Sequence, residues 1–178
     1  MYIDHDRKLV FIHIARTGGS SIKTALNLHE KKYTEHHHLD SSYIPNECKD
    51  YFKFTFVRNP FDRFVSLYHF RPKGLSFSDW LDNITLTYIQ QVDYGVDKLD
   101  FVGRYENLQK DFNRYFEGQL TIENPSESLS IIKNKHYSEY YDDNTIKKVS
   151  KLAEKDISKF NYEFGKWIHT TKNGKKKN

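Results

Sequence analysis

The sequence predicts an α/β fold with a mostly parallel sheet, and three observations carry that prediction. Residues 9–14, Leu-Val-Phe-Ile-His-Ile, form a nearly continuous apolar run that breaks at Arg16-Thr17-Gly18-Gly19-Ser20-Ser21. Such a run marks a strand covered on both faces, as in a parallel sheet, and the glycine turn after it opens a helix. The same strand-turn-helix order recurs from residue 51. A length of 178 residues suits one domain, since two would each be left with a thin core.

Taken in order, the first strand is followed by Ile22, Ala25 and Leu26 at helical spacing. Residues 51–57 then read as an aromatic strand, and Asn59-Pro60 supplies an N-cap with proline at the first helical position. Phe61, Phe64, Val65 and Tyr68 give the apolar stripe of a helix packed on the sheet. Ser76 and Asp79 have capping-box spacing ahead of Trp80, Leu81 and Ile84, which predicts a third helix. A short strand follows at 101–105, and Asn107 is placed to cap a helix carrying Leu108, Phe112, Tyr115 and Phe116. Residues 118–138, with Pro125 and several Ser and Asn, read as loop with room for one short strand. From Asn144 onward, Ile146, Val149, Leu152, Ala153, Ile157 and Phe160 define one long amphipathic helix.

Composition narrows the function classes. Only 37% of residues are hydrophobic, yet Phe, Tyr and Trp make up 16%, so the core is expected to be aromatic-rich rather than absent. The formal charge is +4, but residues 166–178 hold five Lys and no acid. Residues 1–165 are therefore expected to form the single domain, followed by a frayed, Lys-rich tail, and nothing in the domain's charge balance points to nucleic acid. The one cysteine, Cys48, excludes an internal disulfide and a paired-cysteine metal site. The apolar run at 9–14 is too short for a signal segment or a membrane span, so no membrane partner is expected.

Two segments carry chemistry. In the turn after the first strand, glycines let the backbone approach a ligand, and N–H groups at a helix start, with Ser20 and Ser21 hydroxyls and the Arg16 cation, suit an anion such as phosphate. A Walker A loop would need Gly-Lys followed by Ser or Thr, which is not here, so a magnesium-dependent ATPase or kinase is disfavoured. In the second unit Arg58 stands at the carboxyl end of a strand, where open α/β sheets bind ligands, with Ser66 two turns into the next helix. A guanidinium fork and a hydroxyl suit a second phosphate, while simple pairing of Arg58 and Arg63 with Asp62 is the plainer alternative.

Together these segments resemble the sulfotransferase superfamily that uses 3′-phosphoadenosine 5′-phosphosulfate (PAPS), in particular its carbohydrate sulfotransferase branch. In that family a PKTGGTS loop binds the 5′-phosphosulfate and an RNPxxRxxSxY segment the 3′-phosphate. Here they stand as Ala15-Arg16-Thr17-Gly18-Gly19-Ser20-Ser21 and as Arg58-Asn59-Pro60-Phe61-Asp62-Arg63-Phe64-Val65-Ser66-Leu67-Tyr68. Gly103-Arg104-Tyr105-Glu106-Asn107-Leu108 is similar to a further family segment, and residues 140–162 to its closing helix. The likeness spans residues 9–164.

It implies a three-layer α/β/α sandwich of the P-loop NTPase-like kind, PAPS as donor, 3′-phosphoadenosine 5′-phosphate (PAP) as product, no metal, and a sugar or glycan hydroxyl as acceptor. Thr17, Gly18, Gly19, Ser20 and Ser21 would cradle the 5′-phosphate, Arg58 and Ser66 the 3′-phosphate, and Tyr105 would lie near the adenine. Arg16 replaces the family's catalytic lysine and Ala15 its proline. Because family members of the Golgi carry an anchor not seen here, a cytoplasmic enzyme is expected.

Sulfuryl transfer needs a base, and histidine titrates in the right range. The run His36-His37-His38, between the two phosphate-type units, supplies the expected catalytic base, with His37 first and His136 and Glu106 held in reserve. His13 reads as a residue packed in the sheet. Acceptor recognition is expected from residues 71–76 and 82–99. The rival reading is a non-catalytic module that keeps the phosphonucleotide pocket.

Overall fold

The computed structural model describes residues 1–28, 39–70, 74–84, 90–117 and 135–166, and the backbone of 34–35. Five strands form one sheet in the order β3-β1-β2-β4-β5. β2 (Leu9–Phe11), β4 (Phe52–Val57) and β5 (Phe101–Arg104) run parallel, as the strand-turn-helix pattern predicts. The other edge is antiparallel. There β1 (Tyr2–Asp4) pairs with β2, Ile3 opposite Val10, and the two-residue β3 (Thr34–Glu35) pairs with β1. β1 went unread because three residues are too few to display alternation. What makes it a strand is its pairing with β2 and β3, and the turn after it is pinned locally where buried Asp4 accepts from the Arg7 amide at 3.1 Å and pairs with the Arg7 guanidinium.

Residues 9–14 do lie covered on both faces, for Val10, Phe11, Ile12 and Ile14 are all buried. On one face Ile3, Val10, Ile12 and Val57 meet Tyr94, Val96, Phe160 and Tyr162. On the other, Phe11, Phe54, Phe56 and Phe101 meet Ile22 of α1 (Gly19–Ala25), Leu26 at its end, and Leu108 and Phe112 of α4 (Leu108–Phe112). A third cluster joins α2 (Pro60–Phe70), α3 (Phe77–Asp82) and α5 (Asp143–Leu152) through Phe64, Trp80 and Val149. As expected, aromatic rings dominate: Phe11 stacks on Phe54 at 5.0 Å, and burying such rings is the largest apolar contribution available to a chain this poor in aliphatics.

The predicted caps are present at α2 and α3, where Asn59 Oδ1 accepts from Phe61 N at 3.0 Å and Ser76 Oγ from Asp79 N at 3.1 Å. Asn107, by contrast, makes no side-chain cap, and α4 ends at Phe112, before Tyr115 and Phe116. The long C-terminal helix is two helices. Ala153 leaves the helical region (φ −118°, ψ 26°) between α5 and α6 (Glu154–Phe160). The physical reason is that Val149 and Ala153 pack against α2 and α3 whereas Phe160 packs beneath the sheet, and one straight stripe cannot face both cores. Residues 36–38, 118–134 and 167–178, which include the expected base and most of the Lys-rich tail, lie outside the described residues.

Candidate active site

Parallel pairing of β2, β4 and β5 puts the segments that follow them, 12–18, 58–59 and 105–107, at one edge of the sheet. The loop after β2 is held from beneath. Thr17 Oγ1 donates to the Ile14 carbonyl at 2.9 Å, Arg63 Nε to the Ala15 carbonyl at 3.0 Å, and Arg58 Nη1 to the Arg16 carbonyl at 3.1 Å. Three successive carbonyls are thus drawn inward by Thr17 and by the second unit's arginines. Arg16 itself sits at φ 67°, a left-handed conformation that costs a non-glycine residue about 1–2 kcal/mol. These anchors hold it there.

Gly18 follows at φ 89° and caps α1, where a Cβ would come within 3.0 Å of Leu108 and 3.1 Å of Tyr105. At Gly19 a Cβ would stand 2.1 Å from the His13 ring. The glycines therefore let the loop close onto the sheet and onto Tyr105, leaving the first turn of α1, with exposed Ser20 and half-buried Ser21, on the outside. His13 packs between loop and sheet against Tyr2 and Phe11, as read from the sequence.

Arg58 is 5% exposed and is the hub of the site. Its Nε donates to Asp62 at 2.7 Å, and its guanidinium lies 4.1 Å from the centre of the Tyr105 ring. Burial alone would push its pKa down, but the Asp62 carboxylate, Tyr105, the Asp62 hydrogen bond and Glu106 together outweigh that, so the value lies above the ordinary one and the group stays charged. The plainer alternative is thus half right: Arg58 does pair with Asp62, yet it also ties the two motifs together. Arg16 crosses the other way, its Nε donating to the buried Ser66 hydroxyl at 2.9 Å, with its guanidinium 5.0 Å from the Phe70 ring. Burial first, then the nearby Arg58 charge, lower the Arg16 pKa.

The third segment closes the site. Glu106 accepts from Asn59 N at 2.5 Å and from Tyr162 Oη at 3.2 Å, and burial raises its pKa. Thr17, Gly18, Gly19, Arg16, Arg58, Ser66 and Tyr105 are thus gathered at one edge. Among the described residues no group of three or more His, Cys, Asp or Glu has the arrangement of a metal site.

The family model described as the sulfotransferase family matches residues 1–91, half of the chain and both phosphate-type motifs. The chain belongs to the sulfotransferase family. No curated protein and no solved structure matches it. Within this sulfotransferase, sequence reasoning missed Gln91 and Asp156. Gln91, wholly buried, bonds both sides of Arg58 in the backbone, and Asp156 receives the Gln91 and Val92 amides at 2.8 and 2.9 Å. One signal was available: Asp156 falls three residues after Ala153 and four before Phe160, a charge on an apolar stripe. Gln91 carries none. Of the segments expected to meet the acceptor, 90–99 is instead largely structural, with Tyr94 and Val96 in the core. His136 caps the turn at Tyr137–Tyr140, its side chain accepting from Ser138 N.

Proposed function

We propose that this sulfotransferase uses PAPS and passes its sulfuryl group to a hydroxyl of a sugar or glycan. The observation that carries the reading is the interlock of the two motifs, Arg58 on the Arg16 carbonyl and Arg16 on Ser66, which gathers two cations, a glycine turn and an aromatic ring at one sheet edge. A ligand with two phosphate groups and an adenine has the charge and shape for that set. The residues present fit it: the cradle at Gly18 and Gly19 has no room for side chains on its inner side, and Arg58 holds its charge while buried.

When bound, PAPS supplies a sulfuryl group already joined to a phosphate leaving group. Thr17, Gly18, Gly19, Ser20 and Ser21 would then hold the 5′-phosphate by backbone N–H groups and hydroxyls. Arg58 and Ser66 would bind the 3′-phosphate, and Tyr105 would support the base. Arg16 would balance charge on the 5′-phosphate as it grows toward the transition state, an electrostatic role in which a guanidinium can replace a lysine. The acceptor must also lose a proton, and a histidine base would take it.

Calorimetry with PAP and with ATP plus magnesium tests the donor. PAP should bind without metal, and Arg58→Ala should weaken it roughly ten- to a hundred-fold, the loss of a charge-assisted contact of about 1.5–3 kcal/mol. Equal binding by the variant, or tighter binding of ATP with magnesium, would overturn the assignment.

A further inference from the structure

Resting on the donor assignment above, we propose that His69 is the general base that deprotonates the acceptor hydroxyl. Ser66, His69 and Phe70 lie at i, i+3 and i+4 on α2 and so share one face of that helix. Arg16 identifies what this face looks at: its Nε is 2.9 Å from Ser66 Oγ and its guanidinium 5.0 Å from the Phe70 ring. His69 therefore stands on the face that carries the cation assigned to the leaving phosphate. The other described histidines are engaged otherwise. His5 bonds Tyr51 Oη at 3.0 Å, His13 is wedged between the Gly19 backbone and the rings of Tyr2 and Phe11, and His136 caps its own turn.

The surroundings prepare the imidazole for the task. Tyr140 Oη lies 2.9 Å from His69 Nε2, and the two rings meet edge to face at 5.2 Å, so the ring is held in one orientation. The scheme takes the tautomer in which Nε2–H donates to the phenol, which leaves the lone pair on Nδ1. Among the described residues, the charged and titratable groups facing the imidazole are Arg16 from the loop after β2, Tyr68 on its own helix, and Tyr140, whose ring carries Lys135 at 4.6 Å. None is an anion at neutral pH. Burial first, then Arg16, lower the His69 pKa from its ordinary 6.5, so the ring is neutral and able to accept a proton.

The step balances within the groups named. The acceptor oxygen forms its bond to sulfur as its proton passes to His69 Nδ1, while the bond from sulfur to the phosphate oxygen breaks and leaves its electron pair on that oxygen, beside Arg16. The products are a sulfate ester, PAP and a protonated His69, which then returns its proton to water. Tyr140 is a positioning residue in this scheme.

The test measures PAP release from PAPS, in water and with a mixture of neutral and uronic oligosaccharides, across pH 5 to 9, alongside calorimetric PAP binding. The parent's rate should rise with pH to a plateau reached before neutrality. His69→Ala and His69→Gln should lose about a hundred-fold or more in turnover, and the pH limb with it, while PAP affinity stays within about two-fold. Added imidazole should restore part of the activity of His69→Ala. Tyr140→Phe should lower turnover about ten-fold and leave PAP binding intact. Near-parental turnover in both His69 variants, or survival of the pH limb in them, would overturn the proposal. A parent that does not bind PAP would overturn the donor assignment instead, and the two failures are distinct because binding is read without turnover.

Discussion

Gln91→Ala is the perturbation that best probes how the site is held. The Gln91 side chain, 0% exposed, accepts from Arg58 N at 2.8 Å and donates to Arg58 O at 2.8 Å, and it donates again to Asp156 Oδ2 at 3.1 Å. Truncation leaves both backbone groups of a buried residue without that partner and removes one of the donors to a buried carboxylate. An unsatisfied buried group costs about 1–3 kcal/mol, so the two backbone groups together should cost about 2–6 kcal/mol. Against a typical total of about 5–15 kcal/mol this is a large fraction of the stability. Urea unfolding should show the midpoint falling with the slope unchanged.

The site should feel the change too, because Arg58 is no longer fixed at the end of β4, and PAP affinity should fall with it. Gln91→Glu sharpens the test. It preserves the acceptor for Arg58 N but sets a second carboxylate beside Asp156, whose pKa burial already raises. That variant should be at least as unstable at neutral pH and should recover on acidification, as one carboxylate takes up a proton. A loss below about 1 kcal/mol in Gln91→Ala would refute the reasoning, since it would mean that water replaces the side chain at no cost.

Three further outcomes are expected. Arg16→Ala should lower turnover more than PAP affinity while Arg16→Lys retains activity, because charge on the leaving phosphate grows toward the transition state; equal losses in steady-state kinetics and calorimetry would make Arg16 a binding group only. Gly19→Ala forces a Cβ to 2.1 Å from the His13 ring and should cost about 1–3 kcal/mol in urea unfolding together with donor affinity, whereas a neutral effect would show that the ring can swing aside. Glu106 has a folded-state pKa raised above 4.5 by burial, so its contribution to stability is full below 4.5 and is lost as pH rises through the folded value; Glu106→Gln should flatten that limb of the stability-pH curve, and an unchanged slope would refute the assignment.

The local elements were legible wherever one short stretch of chain fixes its own conformation. The run at 9–14, the glycine turn after it, the Asn59-Pro60 start of α2 and the Ser76 cap all act through neighbours a few residues away, so pattern and propensity suffice. The two motifs were legible for a related reason: each is a set of particular residue types at fixed offsets within a short stretch of chain. Tertiary contacts decided the rest. β1 is a strand because β2 and β3 flank it, and α5 and α6 are separate because Ala153 and Phe160 belong to different cores. The interlock of Arg58 with Arg16 spans 42 residues and that of Arg58 with Gln91 spans 33, and His69 acquires its setting from Tyr140 across 71. A hydrogen bond between groups so far apart in the chain leaves no period or spacing in the sequence. It exists only because parallel strands bring their carboxyl ends to one edge, and that is a property of the folded sheet.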